Sequence, residues 1–140
     1  MLVDTRTLTE CIVGDGDTDV YGHMNNSRYH LYFELGRIKA LSEAGILDEE
    51  LIKSFRGLPV IKKCTEYKRG VRAGEKISIY STIQRDRLRI IIEHEMYNSG
   101  NELVATERTE HALKDLKRDK AMKLTEEIMA KVLEVHSEMH

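Results

Sequence analysis

Within the stretch Asp15-Gly16-Asp17-Thr18-Asp19-Val20-Tyr21-Gly22-His23-Met24-Asn25-Asn26, three carboxylates, a histidine and two amides crowd together in a chain of 140 residues. Such density calls for chemistry that uses it. Asp15, Asp17 and Asp19 share the alternate spacing of an EF-hand calcium loop, but that loop requires glycine where Val20 stands and glutamate where Asn26 stands. His94-Glu95 opens the zinc-protease pattern HExxH, yet Asn98 occupies the position of its second histidine. No GxGxxG or P-loop motif is present, so no metal and no cofactor is expected.

What remains is a carboxylate placed just ahead of a helix start, a pairing suited to acyl transfer. The first N–H groups of a helix lack intrahelical acceptors and carry a partial positive charge, which stabilises an oxyanion developing on an attacked carbonyl. The carboxylate then acts on water or on the carbonyl itself. An ordinary aspartate has a pKa of about 3.9 and is a weak base at neutral pH, so this chemistry needs either a raised pKa or direct nucleophilic attack. The residues leave both routes open.

The elements that must position these groups follow from periodicity. Leu8 to Val13 reads as a first strand ending in the turn-forming GDGDTD. From Asn26 to about Ala44, residues Tyr29, Tyr32, Phe33, Gly36, Ala40 and Ala44 recur at helical spacing, with Arg28, Glu34, Arg37 and Lys39 expected on other faces. Asn25 is the expected N-cap and Gly45 the expected stop. After Pro59 the period becomes alternating: Ile77, Ile79, Ser81 and Ile83 share one face, and Leu88, Ile90, Ile92, His94 and Met96 repeat the pattern. Arg85-Asp86 is the expected reversal between those strands, and Asn98-Ser99-Gly100 precedes another strand near Leu103 to Leu113. The final LTEEIMAKVLEVH predicts a helix capped by Thr125. Together these give an α+β domain with a long helix on one face of an antiparallel meander of about four strands.

The segment DTDVYGHMNNSRYHLYFELGR resembles the signature of hotdog-fold thioesterases related to 4-hydroxybenzoyl-CoA thioesterase, a D-x-D-x-x-G-H-x-N-N-x-x-Y pattern followed by an aromatic-rich helix. EYKRGVRAGEKI and HALKDLKRDKAMKLTEEI resemble later parts of the same family. The resemblance implies one hotdog domain over residues 1–140, its sheet wrapped around the long helix, acting as an acyl-CoA thioesterase that releases free acid and CoA. It makes Asp19 the catalytic carboxylate, as general base or nucleophile, and puts the Asn26 N–H at the thioester carbonyl. Gly22, His23 and Asn25 match the GHxNN portion: His23 is taken as a catalytic residue that holds the loop or orients Asp19 or water, and Gly22 and Asn25 as substrate-binding positions. It also implies a homodimer or homotetramer. A non-catalytic acyl-CoA-binding domain and a hotdog dehydratase are the alternatives.

Bulk properties limit the partners. A net charge of −2 argues against a dedicated nucleic-acid binder, although the cluster Lys68, Arg69 and Arg72 suits a phosphorylated ligand, and Arg69 and Arg72 are taken as substrate-binding positions. The separated Cys11 and Cys64 match no metal or redox spacing and fit a reducing compartment. The first residues lack a signal-peptide pattern, and no run approaches the roughly 20 apolar residues that span a bilayer. A cytoplasmic protein with no membrane contact is expected.

Overall fold

Alternating apolar residues become a sheet, and the helical stripe packs across it. The computed structural model describes residues 6–46, 51 and 53–132. Strand β1 (Thr7–Ile12) leads through the acidic loop into α1 (Asn26–Glu43), and then come β2 (Arg56–Gly57), β3 (Val60–Tyr67), β4 (Lys76–Asp86), β5 (Arg89–Tyr97), β6 (Leu103–Asp115), β7 (Lys120–Met122) and α2 (Glu126–Ala130). All strand pairings are antiparallel. The order is β1-β4-β5-β6, with β3 and the short β2 along the far side of β6 and β7 also pairing with β6.

Helix α1 has both expected ends. The Asn25 side chain accepts the Ser27 N–H at 3.0 Å. At the other end Gly45 has φ +72°, a conformation that favours glycine, and its N–H reaches Ser42 O while Ile46 N–H reaches Leu41 O. Thr125 caps α2 through a 3.2 Å bond from Ile128 N–H. The part of the expected terminal helix beyond Val132 lies outside the described residues.

The inner face of the sheet holds two apolar clusters. One gathers Tyr29, Phe33, Ile77, Ile79 and Met96 near the start of α1, and the other gathers Ala40, Leu41, Ile83, Ile92 and Leu113 near its end. Between them runs a row of polar residues that strand register sets side by side: Thr7 opposite Ser81, Ser81 opposite His94, His94 opposite Glu107, and Glu107 opposite Thr65. Buried polar groups need partners, and most of this row has them. Thr7 donates to Glu43 at 3.0 Å, Ser81 Oγ lies 2.6 Å from His94 Nδ1, and Thr65 donates to Glu107 at 2.8 Å. Arg37 closes the row from above with a 2.9 Å ion pair to Glu107. Helix and sheet approach so closely here that a Cβ on Gly36 would lie 2.9 Å from Ser81 Oγ.

Several expectations change. Arg37 is buried, because Glu107 offers it a charge partner inside, which a helical pattern of apolar residues does not reveal. The β4–β5 reversal falls at Arg87 and Leu88, since pairing continues through Arg85 with Ile90 and Asp86 with Arg89; Leu88 is consequently 50% exposed. Strand β5 lies between β4 and β6 and is interior. Strand β3 is the far edge strand, and its mixed, largely exposed sequence carries no alternating signal.

Candidate active site

The acidic loop is held by its own backbone. Asp15–Asp17 forms a short 3-10 turn, and a bridge between Thr18 and Met24 closes a tight turn over Asp19, Val20, Tyr21 and Gly22. Asp19 N–H donates to His23 O at 2.8 Å, and Gly22, at φ +79°, returns its N–H to Asp19 O at 3.0 Å. The positive φ is the reason for glycine at position 22.

The acids of this loop have different employment. Asp17 accepts the Tyr32 hydroxyl on one oxygen and faces Arg28 Nε at 3.7 Å on the other. Burial, then the bond to Asp17, raises the Tyr32 phenol pKa. Asp17 therefore ties the loop to α1. Asp19 is exposed, and Tyr21 N–H at 2.9 Å and His23 N–H at 3.3 Å both donate to its Oδ1, leaving Oδ2 outside that pair. These two bonds orient the carboxylate without consuming it.

The start of α1 is equally selective. Asn25 Oδ1 accepts from Ser27 N–H and Ser27 Oγ, and Arg28 N–H turns back to Asn25 O at 2.8 Å. The N–H of Asn26, first residue of the helix, meets no acceptor among the described residues. It is one of the open donors that every helix start presents.

The chain after β3 forms the wall beside this loop. Tyr67 donates to Asn26 O at 3.4 Å, Tyr29 donates to Arg69 O at 3.3 Å, and Met24 N–H reaches Val71 O at 2.6 Å. The His23 ring packs on Gly70, 3.4 Å from where a Cβ would stand, and His23 pairs with Arg72 in an isolated bridge. So Asp19, Gly22, His23, Asn25, Asn26 and Arg72 fall in one neighbourhood. Arg69 is adjacent, but its guanidinium is ion-paired with Glu102 at 3.0 Å. Tyr67 belongs to this neighbourhood and was missed in the sequence, where a tyrosine at the end of an unrecognised strand carries no signal. Tyr29, Tyr32 and Phe33 are buried core residues.

Comparisons with known proteins fit this layout. The family model described as "Thioesterase-like superfamily" matches residues 13–132. No curated protein matches the sequence. Among solved structures, DHNA-CoA thioesterase from Staphylococcus aureus is 22% identical with a TM-score of 0.82, covering 94% of this chain and 99% of that one. A 1,4-dihydroxy-2-naphthoyl-CoA thioesterase from Synechocystis is 18% identical with a TM-score of 0.80, covering 91% and 95%. A hypothetical protein from Staphylococcus aureus, solved in complex with CoA, is 14% identical with a TM-score of 0.84, covering 94% and 84%. With its family signature spanning residues 13–132 and its helix laid on an antiparallel sheet, the chain belongs to the thioesterase-like superfamily, a thioester hydrolase on the hotdog fold.

Proposed function

We propose that the protein hydrolyses acyl-CoA to free acid and CoA, with Asp19 acting on water or on the thioester carbonyl and the Asn26 N–H holding the developing oxyanion. The observation that carries this reading is the pairing, within one loop, of an exposed carboxylate with an open helix-start donor. The carbon of a thioester carbonyl gains a tetrahedral oxygen charge on attack, and a fixed N–H aimed at that oxygen favours the transition state over the ground state. His23, packed on Gly70, supports the turn that aims Asp19. Gly22 and Asn25 shape the same loop. Arg72 is exposed and has no ion-pair partner among the described residues, which makes it the stronger contact for CoA phosphates than Arg69. CoA as the carrier is supported by the relative solved with CoA bound.

The acting unit in this reading is a homodimer or larger. The outer side of β3 has no strand partner among the described residues, and an unpaired edge of N–H and C=O groups is satisfied by a second copy. Light scattering that finds a monomer at micromolar concentration contradicts this part. Free Cys11 and Cys64 support a cytoplasmic setting, and no helix among the described residues is long and apolar enough to cross a membrane.

Thiol release from a panel of acyl-CoAs, without added metal or nucleotide, tests the activity. Release is expected. Binding without release favours the acyl-CoA-binding alternative, and dehydration of a hydroxyacyl-CoA favours the dehydratase.

A further inference from the structure

Tyr32 belongs to the apolar cluster at the start of α1 and is only 8% exposed, yet both partners of its hydroxyl lie in the acidic loop. The phenol oxygen accepts the Gly14 N–H at 3.2 Å, and its proton goes to Asp17 Oδ2. Gly14 precedes the short 3-10 turn and Asp17 ends it, with Asp17 N–H reaching Gly14 O at 3.1 Å. One hydroxyl thus fastens both ends of that turn to the helix. Gly14 leaves room for this, since a Cβ there would stand 3.3 Å from the oxygen that Tyr32 binds. A phenylalanine would fill the same core space, so what the hydroxyl adds is the hold on the loop.

Asp17 in turn connects the two groups of the proposed mechanism. Its carbonyl accepts the Asn25 N–H at 2.8 Å, one residue before the open N–H of Asn26. On its other side Thr18, extended at φ −102° and ψ 155°, is the single residue between Asp17 and Asp19. That step spans roughly 6–7 Å, at about 3.3 Å per extended residue. The Thr18–Met24 bridge and the bond from Asp19 N–H to His23 O keep it alongside residues 23–25. A shift of Asp17 therefore moves the Asp19 carboxylate relative to the helix start. The returning side of the loop has its own anchor, because Met24 is buried and its N–H reaches Val71 O at 2.6 Å, so the chain keeps its course without the phenol.

We infer that Tyr32 is a positioning residue of the thioesterase site: through Asp17 it sets the spacing between the Asp19 carboxylate and the Asn26 N–H. This rests on the acyl-CoA thioesterase reading above and adds to it a residue that touches no substrate. Attack on a carbonyl and support of its oxygen must meet on one group, and a misplacement of about 1 Å costs about a hundredfold in rate.

Tyr32→Phe keeps the ring and removes both bonds. Its turnover is expected to fall about ten- to a hundredfold with KM changed less than about threefold, since no substrate contact is removed. Turnover within about twofold of the parent overturns the inference. Asp17→Ala should lose a similar factor, whereas Asp17→Asn, which keeps an acceptor oxygen for the phenol, should recover most of it. The combined Tyr32→Phe and Asp17→Ala protein should be within about twofold of the slower single variant, because one contact cannot be lost twice. Losses that multiply overturn the inference. All rates are taken well below each variant's melting temperature. Amide hydrogen exchange followed by NMR reads the hold itself: in Tyr32→Phe the Gly14, Asn25 and Asp19 amides should exchange at least about tenfold faster, while Met24 and strands β4, β5 and β6 stay within about twofold. Equal acceleration everywhere would make Tyr32 a general stabiliser and overturns the inference, as does unchanged exchange at Asn25 and Asp19. A parent protein that releases no thiol marks failure of the thioesterase reading instead, and the exchange comparison still decides whether Tyr32 sets the loop against the helix start.

Discussion

The acidic loop and the polar row beneath α1 are both concentrations of charged and polar side chains, but they are wired oppositely. In the row, the buried Glu107 has Arg37 on one oxygen, and on the other the half-buried Thr65 and the amine of the exposed Lys63. In the loop, Asp19 is exposed and bound on one oxygen only, and the Asn26 N–H has no acceptor among the described residues. A buried charge must be matched by its own protein or the fold does not form, whereas an exposed group with spare bonding capacity is available to a ligand. The difference separates groups that stabilise the fold from groups left free for the substrate role proposed above. It also explains why Asp17, bound by Tyr32 and Arg28, belongs with the first kind although it sits within the loop.

The contrast is broken most sharply by a matched pair of variants. Asp19→Asn should lower turnover by roughly two to four orders of magnitude and leave the melting temperature in place. Near-normal turnover removes Asp19 from the mechanism. Glu107→Ala should do the reverse at the level of the fold, lowering unfolding free energy by about 3–5 kcal/mol because Arg37 is left buried without its partner. Denaturant titration reads this, and the combined Arg37→Met and Glu107→Leu protein should recover most of the loss. If the single Glu107 variant is as stable as the parent, the row is not what holds α1 to the sheet.

A smaller effect concerns the helix start. Asn26→Pro keeps a residue well suited to the first helical position but deletes the N–H, and should lower turnover by a factor of roughly a hundred to a thousand. Asn26→Ala keeps the N–H and should cost much less. With thermal melts showing both folded, equal losses would assign the work to the side chain instead.

The row also predicts a pH dependence of stability. Burial first, then Arg37 and His111, lower the His94 pKa from 6.5 to about 3. The unfolded chain therefore takes up a proton below about pH 6.5 that the folded chain refuses until near pH 3. Stability contributed by neutral His94 is complete above about pH 6.5 and falls as the pH drops, by about 1.4 kcal/mol per pH unit from this residue. Burial lowers the His111 pKa as well, which adds to the same slope. Urea titrations between pH 7 and 4 check it; a His94→Gln protein with an unchanged slope refutes the assignment. His94 Nε2 has no hydrogen-bond partner among the described residues, consistent with a site that does not welcome a second proton.

Much of the frame was legible before any coordinates. Asn25, Gly45 and Thr125 mark helix ends through local hydrogen bonds and local φ, so residue type alone identifies them. The inward alternation of Ile77, Ile79, Ser81 and Ile83 was equally plain, because a strand's faces repeat every second residue. The turn between β4 and β5 was misplaced, since Arg85 and Asp86 have turn-forming company but pair across the hairpin as strand residues. Strand β3 was invisible as a strand because an exposed edge has no apolar face to betray it.

The sequence alone determined that a carboxylate would stand ahead of a capped helix, since both facts depend on residues close together in the chain. Which carboxylate is committed to the fold was decided by the arrival of Tyr32 and Arg28 at Asp17, and the burial of Arg37 by the arrival of Glu107 from seventy residues away. The wall of Tyr67, Gly70 and Val71 beside Asn26 and His23 is likewise a meeting of distant segments. Local patterns report the conformation a residue prefers, but the partners that spend or spare its hydrogen bonds come from strand order and helix packing, and those exist only in the folded chain.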